Sequence, residues 1–203
     1  MKKVMKRVGI CLMAAILFWC GSVVADRQTL RRELVRLHVV AASDSPEDQA
    51  LKLRVKDAVV ESLRSEMENL ADAQQAKAYL QTQLPRICTL ANYVLQEAGS
   101  ADVAQVSLAV EEFGTRVYDT FTLPAGVYDA LRITIGPGEG KNWWCVVFPT
   151  LCVSATAEGF EEAAHCGGFS SSLTNALEGT EGYELRFFLL DMLGRGENLL
   201  RSS

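Results

Sequence analysis

A basic head followed at once by an unbroken apolar run constrains this chain more than any other feature. Lys2, Lys3, Lys6 and Arg7 precede Val8 to Val24 (VGICLMAAILFWCGSVV), and the first 25 residues hold no acid. Val23-Val24-Ala25 then puts moderate and small residues at the −3 and −1 places before Asp26. Basic head, apolar stretch and small-residue exit are the three parts of a secretory signal, with the positives kept on the cytoplasmic side. Residues 1–25 are therefore expected to be a signal peptide. The run of 17 residues is short for a spanning helix, which needs roughly 20, but left uncut it would act as an anchor. A lipoprotein cut before Cys20 fits poorly, because bulky Trp19 precedes it. Cys11 and Cys20 read as apolar filler within the leader. A buried N-terminal core helix is the competing reading; the basic head and Ala25 argue against it.

Behind the leader, the charge balance changes sign. The 203 residues hold 20 Lys+Arg and 25 Asp+Glu. Four positives sit in the head, so the remainder carries a net charge of −9. A body that acidic repels phosphate backbones, which excludes nucleic-acid binding as a main role. With 49% hydrophobic residues the chain can bury the core of one domain. Export also alters the cysteine arithmetic. Cys88, Cys145, Cys152 and Cys166 remain, and four cysteines allow three connectivities. Cys145 and Cys152 flank a turn at Phe148-Pro149 and are the candidate pair, which leaves Cys88 for Cys166. Unpaired buried thiols are the alternative.

Along the body, Arg36 to Ala42 suggests a strand. Ser45-Pro46-Glu47-Asp48 is a helix start, with Ser45 as cap, Pro46 at the first position and acids in the first turn. Leu51, Val55, Ala58, Val59 and Leu63 then mark one apolar stripe, with an Asp48–Lys52 pair expected on the wet side. A junction at Asn69 to Asp72 leads to a second helix over about 73–98. Ala76, Leu80, Ile87, Leu90, Val94 and Leu95 form its inner side, Pro85 predicts a kink or a break, and Gly99 a stop. From Val103 the period falls to two. Strands are expected near Val103 to Val110, over Val117 to Leu123, Val127 to Ile135 and Asn142 to Phe148, separated by Pro124-Ala125-Gly126 and Gly136-Pro137-Gly138-Glu139-Gly140. Residues 154–182 read as an irregular Gly/Ser-rich segment. Tyr183 to Gly194 is expected to be a short docking helix with Leu185, Phe188, Leu189 and Met192 inward. The sum is an α+β fold: an N-terminal strand, a two-helix segment, an antiparallel β region and a short C-terminal helix. The domain covers 26–153, with a C-terminal element and tail at 183–203.

No motif for chemistry emerges. The glycine-rich turn lacks the helix and the Gly-Lys-Ser/Thr setting of a phosphate loop. Ser43, Asp44, Glu47 and Asp48 do not have the spacing of a calcium loop, and capping accounts for them. His38 and His165, the only histidines, have no nucleophile motif beside them. Cys145, Cys152, His165 and Cys166 lack paired zinc spacing. No catalytic residue, metal or cofactor is assigned. Trp143 and Trp144 stand out because neighbours in a strand face opposite ways, so one indole can enter the core while the other anchors a partner. Both packed inward is the competing reading.

Two stretches carry a resemblance. One is Leu37 to Val59 (LHVVAASDSPEDQALKLRVKDAV). The other is Leu123-Pro124-Ala125-Gly126 with Tyr128 to Arg132, then Gly140 to Cys152 (GKNWWCVVFPTLC). Together, over about Arg31 to Cys152, they resemble the stage II sporulation protein R family of endospore-forming bacteria. Ala42 and Thr150 depart from that family's usual Asn and Pro. The resemblance implies a signalling protein that is made in the forespore and exported into the space between two membranes. There it activates a membrane-embedded aspartic protease from the extracytoplasmic face, and that protease processes an inactive sigma-factor precursor. No small-molecule substrate is implied and no catalytic residue carries over. Asn142, Trp143 and Trp144 are the expected partner-binding patch. An exported cell-wall hydrolase and an envelope structural protein are the alternatives.

Overall fold

The computed structural model describes residues 2–149, 160, 164 and 168–201. It begins with α1 (Lys2–Glu33), followed by β1 (Val35–Val40), α2 (Pro46–Glu68) and α3 (Ala73–Glu97). Next come β2 (Ala104–Phe113), the short β3 (Arg116–Val117) and β4 (Thr122–Leu123), β5 (Gly126–Ile135) and β6 (Asn142–Phe148). Helices α4 (Ser171–Glu178) and α5 (Glu184–Arg201) follow. The fold is α+β, with a four-stranded sheet in the order β2-β5-β1-β6 and a separate β3-β4 ribbon.

The sheet is mixed, which corrects the antiparallel expectation. β1 lies in its interior, parallel to β5 and antiparallel to β6. The α2–α3 pair is part of the long connection that a parallel pairing needs. All six residues of β1 are buried, Arg36 and His38 included. Both faces of the sheet are covered. On one, α2 and α3 contribute Val55, Val59, Leu63, Ala76, Leu80, Ile87 and Leu95 against Leu37, Val39, Leu131 and Ile133. On the other, α1, α4 and α5 supply Val23, Leu30, Leu173, Leu177 and Leu190 against Phe113, Tyr128, Ala130 and Val146.

Several local expectations hold. Ser45 caps α2 by accepting from the Asp48 amide, and Asp72 caps α3 by accepting from Gln75. The Asp48–Lys52 pairing does not form. Lys52 is buried and its ammonium donates to Gln49 Oε1 at 2.7 Å and to the Lys141 carbonyl at 3.0 Å, while Asp48 accepts from Ser43 Oγ. α3 runs unbroken through Pro85. The proline lies on the exposed side, where water can satisfy the carbonyl that loses its amide partner. Within the stretch read as irregular, Ser170 caps α4 and Gly179, at φ 72°, ends it in the left-handed conformation that glycine tolerates.

The C-terminal helix is longer than expected and turned about its axis. Its inward side is Arg186, Leu190 and Gly194, whereas Leu185, Phe188 and Met192 face outward. Charge and the lack of a side chain hid two of these three from a reading based on hydrophobicity. α1 runs through the expected cleavage junction between Ala25 and Asp26 without a break.

Candidate functional site

The two stretches that carry the family resemblance meet inside the sheet. His38 of β1 lies opposite Trp144 of β6 in the antiparallel register. Their rings stack with centroids 3.8 Å apart and planes 17° apart. Phe113, at the end of β2, turns its ring against Trp144 at 4.9 Å and against His38 at 6.3 Å. The Arg116 guanidinium covers Trp144 at 4.8 Å, a cation–π contact.

Glu111 of β2 reaches His38 Nδ1 at 2.7 Å and accepts from Arg132 Nη1 at 3.4 Å. Burial pushes its carboxyl upward, but the His38 hydrogen bond and the His38 and Arg132 charges outweigh that and hold it below its ordinary value. An ionised Glu111 can only accept, so Nδ1 carries the proton between them. His38 Nε2 is buried and meets no hydrogen-bond partner among the described residues. A nucleophile activated by this imidazole would have to sit within hydrogen-bond reach of Nε2, and among the described residues His38 is a packed, oriented ring with no such nucleophile in contact.

Two positions away along β1, Arg36 is wholly buried on the same face. It donates to the Cys145 carbonyl at 3.2 Å and to Tyr118 Oη at 2.8 Å, and its guanidinium lies 4.4 Å above the Phe113 ring. Nη1 has no partner. Burial lowers the Arg36 pKa and pushes Tyr128 up to about 12, while the Tyr128 hydroxyl donates to the Pro124 carbonyl at 2.9 Å.

Of the expected patch, Asn142 is exposed and Trp143 is 37% exposed on the α2 side, where the Lys56 ammonium lies 4.9 Å from its ring centroid. Trp144 is half-buried on the opposite face, in the cluster with His38. The two indoles thus point apart, as strand alternation requires. Cys145 is buried in β6; Cys152, Cys166 and His165 lie outside the described residues, as does any bond to them. Among the described residues, no three of His, Cys, Asp and Glu gather as a metal site.

The remaining motif residues tie elements together. Gly140 donates to the Ala41 carbonyl at 3.0 Å and Lys141 donates to Asp44 Oδ1 at 2.7 Å. A Cβ on Gly140 would come within 2.2 Å of the Ser43 carbonyl oxygen, so only glycine lets the β5–β6 turn approach the start of α2. The Ser43-Asp44-Ser45 run is therefore a clamp between α2 and the β5–β6 connection. Sequence reasoning assigned it to capping alone, and Lys52 was the missed member, because a lysine at that helical position reads as solvated. A concavity of about 490 Å³ also lies between Glu112, Gly114, Thr115, Ala125 and the Arg195–Leu199 part of α5. No motif pointed to it.

The family model described as stage II sporulation protein R matches residues 31–158. A curated relative, "Stage II sporulation protein R" of Bacillus subtilis (strain 168), is 35% identical over 120 residues, or 59% of this chain and 54% of that protein. The chain thus spans about half the length of this curated relative. No solved structure matches significantly.

Proposed function

The chain belongs to the stage II sporulation protein R family, and from that premise we propose that it is an exported signalling protein of sporulation. In this reading its partner is a membrane-embedded aspartic protease, met from the extracytoplasmic face. The protein binds the active arrangement of the protease more favourably than the inactive one and so raises its population. The protease, in turn, processes an inactive sigma-factor precursor. The single observation that carries the reading is the family match, which includes both stretches that meet at His38 and Trp144.

The alternative of a cell-wall hydrolase draws on His38 as a base. Its ring is stacked on Trp144, its Nδ1 is taken by Glu111 and its Nε2 is buried. That setting suits a structural histidine better than a base that must meet water and a bulky polymer. For the contact surface the proposal uses Asn142 and Trp143 beside Lys56, with Trp144 holding β6 in place from the other face.

The test is reconstitution of precursor processing with purified protein and membrane-embedded protease. Processing should rise with added protein and only when the protease is present. Unchanged processing removes the activator reading, and turnover of cell wall by the protein alone replaces it. Trp143→Ala, shown by circular dichroism to be folded, should weaken activation; full activation by that variant and by Asn142→Ala removes the patch.

A further inference from the structure

The two halves of α1 have opposite surroundings. From Val4 to Phe18 the large apolar side chains stand 52–81% exposed. A few residues on, the same helix is part of the core. Val23 is 1% exposed and Leu30 equally so. Asp26 is buried and accepts from Arg186 Nε at 2.7 Å and from Arg186 Nη2. Ser22 Oγ accepts from Arg186 Nη1 at 3.2 Å, and Ser170 Oγ donates to Asp26 at 3.3 Å. Arg27 and Arg31 both pair with Glu197.

We propose that the leader is retained after export. The apolar half of α1 lies in the lipid bilayer with Lys2 to Arg7 on the side of synthesis, and Leu185 and Phe188 of α5 rest on the outer leaflet. Three observations lead there. First, the expected scission after Ala25 cuts inside this interlock. It removes Ser22 and Val23 from their contacts and leaves a new ammonium on Asp26 beside the buried Arg186 guanidinium, like charge against like. Second, the apolar run needs a cover, and bilayer hydrocarbon matches it in length. Residues 8–21, ahead of Ser22 and Val23 in the core, rise about 21 Å at 1.5 Å each, and counting from Val4 brings this to about 27 Å, close to the roughly 30 Å of a bilayer core. Lysine and arginine side chains at the inner end extend the reach by snorkelling. Lys2, Lys3, Lys6 and Arg7 precede the span with no acid among them, which favours that end as the inner one. Third, Leu185 and Phe188 are 60% and 58% exposed. They lie on the outward side of the same helical turn whose Arg186 holds Ser22 and Asp26, which keeps them close to the end of the span.

The inference is independent of which protein the domain activates, and the test separates the two. The full chain and Ala25→Phe, which blocks cleavage at that junction, are exported in the same host. Their intact masses and fractionation are then compared. Both should keep the full-length mass and stay in the membrane pellet through high salt and alkaline extraction. A wild-type chain starting at Asp26, with only Ala25→Phe at full length, overturns the proposal. A full-length wild-type chain in the soluble fraction does so equally. For the α5 contact, Phe188→Cys in the full-length chain, with Cys11, Cys20 and Cys88 each changed to alanine in this and the comparison variant, is labelled with a polarity-sensitive dye and placed in vesicles of phosphatidylcholine and phosphatidylglycerol. Its emission should shift to the blue relative to Leu53→Cys on α2; equal emission overturns that contact. Soluble protein that still drives processing would sink the anchor and leave the activator reading standing.

Discussion

Two glycines two residues apart on α5 should respond to the same substitution with opposite signs. Gly194 faces the β4–β5 turn, and a Cβ there would lie 1.6 Å from the Ala125 carbonyl oxygen and 2.3 Å from its carbon. These are backbone atoms, held by Asp191, which accepts from the Ala125 amide at 2.8 Å and from Thr115 Oγ1. Restoring a 3.4 Å contact requires α5 to retreat by about 1.8 Å, enough to strain both bonds. Gly196 has nothing within 4 Å of its virtual Cβ. Exchange of glycine for alanine within a helix gains about 1 kcal/mol when nothing intervenes, and overpacking a tight contact costs about 1–3 kcal/mol. A clash with fixed backbone belongs at the upper end, so Gly194→Ala should lose about 2 kcal/mol net. Gly196→Ala should gain up to about 1 kcal/mol. For a chain of this size that is a fall in Tm of about 4–8 °C against a rise of about 2–4 °C. Urea and thermal unfolding of the full-length chain in detergent would read both. If Gly194→Ala is as stable as the parent, α5 does not approach the sheet as described.

Other perturbations test the remaining parts of the fold. Asp26→Asn leaves the Arg186 guanidinium buried without its counter-charge and should cost about 3–5 kcal/mol, whereas Asp26→Leu with Arg186→Met should recover most of it; urea midpoints decide. Glu111 has a folded pKa below its ordinary value of 4.5. Its ionised form therefore adds stability that is fully present above that value and lost as pH falls through the lower folded one. The stability gap between the parent and Glu111→Gln should narrow from pH 6 to pH 3, and a constant gap would remove the His38–Glu111 hydrogen bond from the account. Trp144→Ala should cost about 3 kcal/mol, the low end for a large aromatic, because the indole is only half-buried. Trp143→Ala should cost less than about 1 kcal/mol. Equal losses would contradict the opposite placement of the two indoles.

What the sequence disclosed, and what it hid, follows from which forces leave a local pattern. Helix α2 was legible because its cap, first-turn proline and apolar stripe are all encoded within a few residues. The strands β5 and β6 were legible from alternation and the turns between them. The position of β1 was not. A strand bearing Arg36 and His38 reads as half-solvated, yet both are buried because Tyr118, the Cys145 carbonyl and Glu111, all distant in sequence, supply their partners. The inward side of α5 was hidden for the same reason, since Arg186 is buried only because Asp26 lies 160 residues earlier. Of the candidate patch, the residues were named from sequence and their opposite orientation followed from strand geometry. That Trp144 would stack on His38 needed the register of β1 against β6, which no local pattern contains.

That register bears on how a partner could read this molecule. The residues that give the family its signature divide by their surroundings. Ser43, Asp44, Gly140 and Lys52 bind α2 to the β5–β6 turn. His38 and Trp144 join β1 to β6 inside the second core. A partner cannot touch the buried members of this set without opening the sheet, so their role is to fix the position of what remains outside. At the junction itself that is Asn142 and Trp143, one strand step from the clamp and one from the aromatic stack. Holding a large side chain still before contact reduces the entropy lost on binding. If Asn142 and Trp143 form the proposed contact surface, the rigidity of the β1–β6 pair serves recognition as well as folding, and loosening it should weaken activation even in a variant whose outer surface is unchanged.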